Sequence, residues 1–485
     1  MVAAPRFTPA TPAVPAPAPG ADPAGDALAR RLWTEDLPRE HGFEPLALEG
    51  TLPAELRGTL YRNGPGQFGQ HGRRYSHTFE GDGAVTAIRL ESGRALGAAR
   101  ITPSAGLVEE RAAGRILYGL AAPWPRRLAN MLRDRQKNTA NTNVLVWQGR
   151  LFALMEAARP TELDPRDLSM IGETDLGGAV VSMFSAHPHR VEARRAIYNF
   201  GLEYGRQTRL HLYELPDAGG ARHLGAIELP GPPMLHDFIA TETHLVFFVS
   251  PVRIAVPRML LQLGSFQELF QWRPEHGTEV ICVPIDRPGE PIRFTTESFH
   301  QWHFANAFTR GGELVIDYVR YPNFDSFHEI GDIARGAVPD SLGLGRLHRA
   351  VLDLRARTLR SEPLLEGRCC EFPTVAGARQ GAEHAATYLA VDDLRAIGKL
   401  EAGSGRLDLH TLPGVQRATE PIFVPRSGAT RDDDGWVLAL CHDGTRDQAF
   451  LAIYDAARIP DGPIARAWFD HQVPITFHGT FRPQA

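Results

Sequence analysis

The chain has 485 residues, of which 43% are hydrophobic and 22% are charged, as expected for a soluble globular protein with a large core. The net charge is −5 and the acidic and basic residues are interspersed, which excludes a basic surface for nucleic acid. The four cysteines show no CxxC spacing, so we expect reduced thiols in a cytoplasmic protein.

The N-terminal part of the chain is rich in proline and alanine, from Ala3 through Gly25. It lacks the basic start and the continuous apolar core of a secretory signal, so we predict a disordered tail. We place the end of this tail at residue 31 and predict a single domain over residues 32–485.

After the tail, short β-rich runs alternate with turn signals. Residues 144–154 read as a hairpin around Gln148 and Gly149, and similar units recur near residues 245–250, 311–317 and 436–440. Many short strands with closely spaced turns predict an all-β closed fold, and a β-propeller suits a chain of this length.

Two segments break the β pattern. Residues 121–135 place Leu128, Met131 and Leu132 at helical spacing, and residues 252–272 are long and apolar but interrupted by polar residues. Neither has the uninterrupted run of about 20 apolar residues that spans a bilayer. The two segments are compatible with two interpretations. They could be helices that cover one face of the fold, or they could form an apolar patch around the mouth of a tunnel. Such a patch would contact the inner face of a membrane peripherally.

Four histidines lie in similar apolar, β-like frames that are far apart in the chain, namely His187, His236, His303 and His478. Because the innermost strands of a propeller converge on its axis, imidazoles from distant strands can meet at one metal ion. Four neutral nitrogen ligands suit Fe(II) or Zn(II). A single histidine in such a frame is more often a structural residue than a ligand, and only the set of four indicates an enzyme; His189 and His300 are alternative ligands close in sequence.

Three glutamates lie in comparable apolar settings, namely Glu156, Glu371 and Glu420. A carboxylate beside a ligating imidazole fixes the tautomer and orientation of the ring, so we predict that these residues hold the histidines. A buried carboxylate also needs a partner, and a histidine N–H is a suitable one. For Glu420 the alternative is an ordinary ion pair with Arg417 or Arg426.

Together these segments resemble the carotenoid cleavage oxygenase family, whose members split carbon–carbon double bonds with non-haem iron. The resemblance extends from about residue 32 to the C-terminus and includes residues 60–66 (LYRNGPG), 77–83 (HTFEGDG) and 141–144 (NTNV). It implies a seven-bladed β-propeller with a cap of helices and loops over the active-site face. It also implies one Fe(II) per chain, with dioxygen as co-substrate and the four histidines as ligands.

The resemblance also implies a substrate pocket. Thr142 matches a position beside the open metal site, and Met234 and Trp302 are candidates for the wall of an apolar tunnel, although both could equally be core residues. Met155 is a departure, because the apocarotenoid-cleaving members carry an aromatic residue before the glutamate. Methionine fills irregular space, so we expect a cavity of different shape.

The implied reaction is oxidative cleavage of one double bond of an apocarotenoid or carotenoid, giving retinal-like and shorter carbonyl products. Members that cleave hydroxystilbenes carry a lysine in a stretch that here corresponds to residues 100–107, which contain none; Gly106 lies near its position. This favours an apolar substrate end over a phenolic one, and residues 137–143 (KNTANTN) most resemble the bacterial apocarotenoid-cleaving branch of the family. The alternatives are cleavage of a stilbene or phenylpropene at the same site, isomerohydrolase chemistry, and a non-enzymatic propeller that serves in binding.

Overall fold

The computed structural model describes residues 23–133, 135–261, 264–334 and 345–484. These residues form seven antiparallel sheets, which are the blades of a β-propeller. The innermost strands of most neighbouring blades contact one another around the central axis. The predicted all-β, seven-bladed fold is confirmed.

In each blade the strand named first lies innermost, next to the propeller axis, and the strand named last lies outermost. The first blade contains His478–Pro483, Gly58–Gln67, Asp82–Glu91, Arg94–Ile101 and His41–Pro45. The second contains Asn143–Trp147, Arg150–Leu154, Thr161–Leu163 and Met170–Glu173. The third contains His189–Val191, Ala196–Glu203, Thr208–Pro216 and Arg222–Leu229. The fourth contains Ile239–Ala240, His244–Val249, Thr278–Pro284 and Ile292–Thr296.

The remaining blades follow in chain order. The fifth contains His300–Arg310, Glu313–Tyr321, Arg346–Asp353 and Thr358–Pro363. The sixth contains Cys370–Val375, Ala386–Val391, Ala396–Glu401 and Leu407–Thr411. The seventh contains Gln416–Ala418 and Ile422–Pro425, both paired with Gly435–Asp443, followed by Gln448–Asp455, Ala465–Trp468 and Ala47–Gly50. Two small hairpins pair Val252–Ile254 with Phe270–Trp272 and Gly69–Gln70 with Arg73–Arg74.

The sequence of a central strand shows why the blades stack. Gly435–Asp443 is buried along its whole length, because both faces of a blade pack against neighbouring blades. Leu438 and Leu440 belong to the apolar cluster shared with the first blade, whereas Val437 and Ala439 face the opposite cluster. The strand is therefore a nearly continuous apolar run rather than an alternating one.

The ring is closed by strands from the two ends of the described chain. His478–Pro483 pairs with Gly58–Gln67, so the last strand becomes the innermost strand of the first blade. A Cβ atom at Gly479 would lie 2.2 Å from the carbonyl oxygen of Tyr61, so only glycine fits beside this strand. This close pairing holds the strand that begins at His478.

The predicted hairpin at residues 144–154 is confirmed. Asn143–Trp147 pairs with Arg150–Leu154, and both turn residues, Gln148 and Gly149, have positive φ angles of 49° and 79°. Positive φ at both central positions is typical of the tight turn that matches the twist of two antiparallel strands.

Five helices lie outside the blades among the described residues: α1 (Pro23–Thr34), α2 (Ala105–Ala113), α3 (Trp124–Leu132), α4 (Val256–Leu261) and α5 (Asp325–Ala334). Each contributes at least one residue to the wall of the cavity that contains the clustered histidines. The structure thus has the expected cap over the active-site face.

Helix α1 differs from the predicted tail, which was expected to reach residue 31. The helix begins at Pro23, and its Leu28, Leu32 and Trp33 pack against Phe477 and neighbouring apolar residues. The predicted boundary at residue 31 was wrong because it rested on the proline and alanine content of the segment. The apolar residues of α1 become buried only against the folded propeller, and composition does not reveal that contact. Residues 1–22 of the predicted tail lie outside the described residues.

The two segments that break the β pattern differ from each other in structure. Residues 121–135 contain α3, as predicted, whereas residues 252–272 form two short paired strands on either side of α4. Residues 134, 262 and 263 of these segments lie outside the described residues. In the described part of the chain, no helix has the length and apolar character needed to cross a membrane.

Candidate metal centre

The four predicted histidines approach the propeller axis from four blades. His303 lies in the innermost strand of the fifth blade, and His478 begins the innermost strand of the first. His187 and His236 lie two and three residues before the innermost strands of the third and fourth blades, which begin at His189 and Ile239. The propeller topology therefore brings together residues that are up to 291 positions apart in the sequence.

The distances between the rings fit a single metal ion. The Nε2 atoms of His303 and His478 lie 3.1 Å apart, and those of His236 and His303 lie 3.4 Å apart. Nitrogens bound at about 2.1 Å to one ion are separated by about 3 to 3.5 Å. The ring centroids of His187 and His236 are 4.3 Å apart. The buried Nε2 of His187 has no hydrogen-bond partner among the described residues, as expected of a nitrogen reserved for a metal.

The three predicted glutamates each contact one of these rings. Glu371 Oε2 accepts a hydrogen bond from His303 Nδ1 at 2.6 Å, and Glu420 Oε1 accepts one from His478 Nδ1 at 2.8 Å. Glu156 Oε1 contacts His236 Nδ1. A proton held on Nδ1 leaves Nε2 as the free lone pair, which is the tautomer required for coordination through Nε2.

Electrostatics within the cluster keep the carboxylates charged. Burial by itself would raise the pKa of Glu371 and of Glu420, but attraction to His303 and to His478 holds each pKa below its ordinary value. Burial, followed by repulsion from the neighbouring imidazoles, lowers the pKa of His187 well below its usual range. Burial by itself would also lower the pKa of His303, but attraction to Glu371 raises it, so a metal would displace a proton there, because a neutral imidazole is the form that binds a metal.

Glu420 pairs with an arginine that sequence reasoning missed. Its Oε2 accepts hydrogen bonds from Arg62 Nη1 at 2.5 Å and from the backbone N–H of Gly479 at 3.0 Å. Arg62 is fully buried. Arg426, one of the two alternatives from the sequence, instead pairs with Asp434 and Asp455. The signal for Arg62 was its place in residues 60–66.

Three further residues support the cluster without having been predicted. The Tyr321 hydroxyl donates to Glu371 Oε1 at 2.5 Å. Phe372 stacks on the His303 ring with 5.2 Å between centroids, and its positive φ of 53° is unusual for an aromatic residue. Asp237 directly follows His236 and is also buried. Two of the three are sequence neighbours of predicted residues, which is the signal that could have found them.

The two alternative histidines lie outside the cluster. His189 Nε2 is 2.8 Å from Asp237 Oδ1. His300 Nδ1 is 3.3 Å from the Ser250 hydroxyl, and its ring lies against Trp302. Neither belongs to the groups of converging ligand atoms found among the described residues.

The cluster opens into a cavity of about 1350 Å³. All four predicted pocket residues line it, namely Thr142, Met155, Met234 and Trp302. The Trp302 ring meets the His236 imidazole edge-on at 4.8 Å, and its Nε1 donates to Ser326 at 2.8 Å. The Thr142 hydroxyl donates to Asn141 Oδ1 at 3.1 Å.

The sequence family follows from comparison with known proteins. A model of the family described as retinal pigment epithelial membrane protein (RPE65) matches residues 35–483. The chain belongs to the carotenoid cleavage oxygenase family. The predicted membership is thereby confirmed.

The relatives include enzymes with different named substrates. The chain is 32% identical to apocarotenoid-15,15'-oxygenase of Synechocystis, over 96% of this chain and 98% of that protein. It is 26% identical to isoeugenol monooxygenase of Pseudomonas nitroreducens, over 90% of this chain and 94% of that protein. Identity to resveratrol cleavage oxygenase 1 of Aspergillus fumigatus is 27%, over 83% and 85% of the two chains.

A solved structure also matches closely. The crystal structure of cobalt-substituted Synechocystis ACO superposes with a TM-score of 0.86 at 30% identity, covering 95% of this chain and 99% of that one. The agreement over nearly the whole of both chains confirms the fold.

Proposed function

We propose that this family member is a non-haem Fe(II) dioxygenase that cleaves one C=C double bond of an apocarotenoid or carotenoid to two carbonyl products. The observation that carries the proposal is the convergence of four imidazoles, three of them backed by carboxylates, at a large cavity. One Fe(II) held by His187, His236, His303 and His478 would supply the centre at which dioxygen is activated.

The protein contributes orientation and protection. Glu371 and Glu420 accept the Nδ1 protons of His303 and His478, which turns the opposite nitrogens inwards, and Glu156 contacts Nδ1 of His236. Four neutral ligands leave the charge of a dication uncompensated by the rings themselves, and they fill more coordination positions than a two-histidine, one-carboxylate site does. Apolar residues of the cavity exclude water from the reacting double bond.

The cavity wall supports an elongated apolar substrate. Trp302 and Met234 lie beside the cluster, and Phe79 continues the aromatic surface with its ring 6.2 Å from that of Trp302. Met155 lines the same wall next to Glu156. We propose that Thr142 limits the size of the groups that can approach the open side of the metal. Its hydroxyl donates to Asn141 Oδ1, and this hydrogen bond fixes the orientation of the side chain.

The cavity wall around Gly106 supports a substrate without a phenol. A Cβ atom at Gly106 would lie 2.7 Å from Lys137 Cγ, so the Lys137 side chain already fills this space. Its ammonium lies 2.6 Å from Asp82, 2.7 Å from Glu110 and 3.2 Å from the Tyr75 hydroxyl. These three partners match the three donors of an ammonium group, so no donor remains for a phenolate.

The second candidate is cleavage of a phenylpropene or stilbene at the same centre. Two relatives are named for isoeugenol and resveratrol, and they match this chain over 90% and 83% of its length. Their identities are lower than the 32% found for the apocarotenoid-15,15'-oxygenase, which supports the first candidate.

We further propose a peripheral contact with the inner face of the cytoplasmic membrane. The exposed large apolar side chains of α3 and α4 include Trp124, Leu132, Val256 and Leu261, and the Trp124 indole donates to the carbonyl of Leu261 at 2.9 Å. Met131 and Met259 from the same helices line the cavity, so this patch lies at its mouth. Such a surface would collect lipid-soluble substrate. We propose that the seven blades and the helices form one catalytic domain, which begins with α1 rather than at residue 32.

A liposome sedimentation experiment tests the patch. Replacing Leu132 and Leu261 by serine should reduce partitioning into liposomes while leaving the circular dichroism spectrum unchanged. A matched double replacement of the exposed Ile171 and Ile464, which are not among the residues that line the cavity, should leave partitioning unchanged. Equal partitioning of the Leu132/Leu261 variant and the parent protein would reject the membrane contact.

The decisive experiment is aerobic incubation of the iron-loaded protein with carotenoids, apocarotenals, isoeugenol and hydroxystilbenes under ¹⁸O₂. We expect about one iron per chain, cleavage of an apocarotenoid, and label in both rapidly trapped carbonyl products. Cleavage of stilbenes or isoeugenol but no polyene would reject the proposed substrate while retaining the reaction. Absence of cleavage of any alkene by the iron-loaded protein would reject the oxygenase proposal.

A further inference from the structure

One of the four clustered histidines has no glutamate partner. Glu156, Glu371 and Glu420 contact His236, His303 and His478, respectively. Among the carboxylates that the structure describes, only Asp237 lies within 4.0 Å of a His187 ring nitrogen. Its side chain is 2% exposed, so its charge is held almost entirely by protein groups.

The Asp237 carboxylate contacts three of the four blades that carry the histidines. Oδ1 lies 2.8 Å from His189 Nε2 and accepts the Phe238 N–H at 2.8 Å, so it joins the third and fourth blades. Oδ2 accepts the N–H of Phe304 at 3.0 Å in the fifth blade. Phe304 directly follows His303, His189 lies two residues after His187, and Asp237 itself follows His236.

The contact with Phe304 lies at an irregular point of the fifth blade. The pairing of His300–Arg310 with its neighbour shifts register on both sides of Phe304. A buried backbone N–H at such a point needs an acceptor outside the ladder, and Asp237 provides it. The bulge that turns His303 towards the axis is therefore anchored on the segment that carries His236.

We propose that Asp237 is the positioning residue that sets the spacing of His187, His236 and His303. The inference rests on the proposed metal centre. Each of the three glutamates contacts a single ring, whereas Asp237 sets the positions of three rings relative to one another. Coordinating groups must be held within about 0.5 Å of their productive positions, so a link across three blades controls the affinity and geometry of the site.

A carboxylate is required at this position because it only accepts hydrogen bonds. Asp237 receives two backbone N–H groups on different oxygens and one imidazole. The amide of an asparagine would offer one oxygen and one NH₂ group. In the variant Asp237→Asn, the NH₂ group must therefore face either the Phe238 N–H or the Phe304 N–H, and one of the two links is lost.

Cobalt(II) substitution tests the inference without relying on activity. We expect Asp237→Asn to bind Co(II) about 10–100-fold more weakly, as is typical when a residue that supports metal ligands is replaced. The visible d–d bands of the bound Co(II) should also change in position or intensity, because the ligand geometry relaxes. Affinity, the visible spectrum and the Tm of the metal-free protein are measured together.

The matched control is Asp317→Asn. Asp317 is equally buried and lies in the fifth blade, but it pairs with Arg349 and His384 rather than with the cluster. This variant should lower the Tm and leave the Co(II) affinity and spectrum at their parent values. If Asp237→Asn behaves in the same way as Asp317→Asn, Asp237 has only a structural role and the inference is overturned.

Two further results separate the possible failures. If the parent protein itself binds no Co(II), the proposed metal centre fails; if only Asp237→Asn equals the parent, the inference about Asp237 fails alone. Should Asp237→Asn not fold, His189→Ala removes one of the same contacts. We expect it to weaken Co(II) binding severalfold with a spectral change, and parent values in this variant would overturn the inference.

Discussion

The two halves of the histidine cluster are supported in different ways. His303 and His478 donate to glutamates that are themselves held by additional donors, Tyr321 for Glu371 and Arg62 for Glu420. On the other side, the Glu156 side chain beside His236 is 31% exposed, compared with 11% for Glu420. A carboxylate that is more deeply buried and has several donors costs more to replace. The comparison therefore predicts a graded response to mutation around one centre.

The largest effect on the metal is expected from His303→Ala, because this ring links the two halves. Its Nε2 lies 3.1 Å from that of His478 and 3.4 Å from that of His236. We expect loss of stoichiometric iron and of all cleavage, measured by metal analysis and product assay. His244→Ala is the control, since His244 contacts Thr243 outside the cluster. Full iron retention in His303→Ala would contradict a shared centre.

The most destabilising glutamate variant should be Glu420→Ala. It leaves the fully buried Arg62 without its carboxylate, and breaking a buried ion pair in this way typically costs about 3–5 kcal/mol of unfolding free energy. Urea unfolding measures the loss. The control is Glu313→Ala, whose pair with Arg360 is exposed and worth about 0–1 kcal/mol. Similar stability of both variants would remove the distinction between the two halves.

Glu371→Gln should affect metal binding more than folding. The amide keeps the size of the side chain, but one of its two ends can no longer accept from His303 or Tyr321. We expect about 10–100-fold weaker Fe(II) or Co(II) binding, measured by competition with a chelator. Unchanged affinity would show that Glu371 does not hold the His303 ring.

Glu156→Gln should give the smallest change in the series. Glu156 is the most exposed of the three carboxylates, so water can replace part of its contact with His236. We expect a loss of metal affinity of about 10-fold or less, at the low end for such residues. A loss of metal affinity larger than that of Glu371→Gln would contradict this ranking. It would show that the contact of Glu156 with His236 matters more for metal binding than the contact of Glu371 with His303.

Much of the site could be predicted because its residues carry local signals. Each histidine and glutamate lies in a short apolar frame, and their order along the chain matches one family. His189 shows the limit of this reasoning: its neighbourhood resembles that of His187, yet its ring contacts Asp237. Two residues apart on one segment, the two rings point to different partners, and only the position of the next blade decides which partner each meets.

By itself, the sequence determined a closed all-β fold, through closely spaced strands and turns, and the set of residue types needed for a metal centre; the number of blades followed from the resemblance to one family. Tertiary structure decided the partnerships. Glu420 pairs with Arg62, 358 positions away, rather than with Arg426 nearby, because closing the ring places the first and seventh blades side by side. Helix α1 extends back to Pro23 for the same reason, since its apolar residues find their burial only against the assembled propeller.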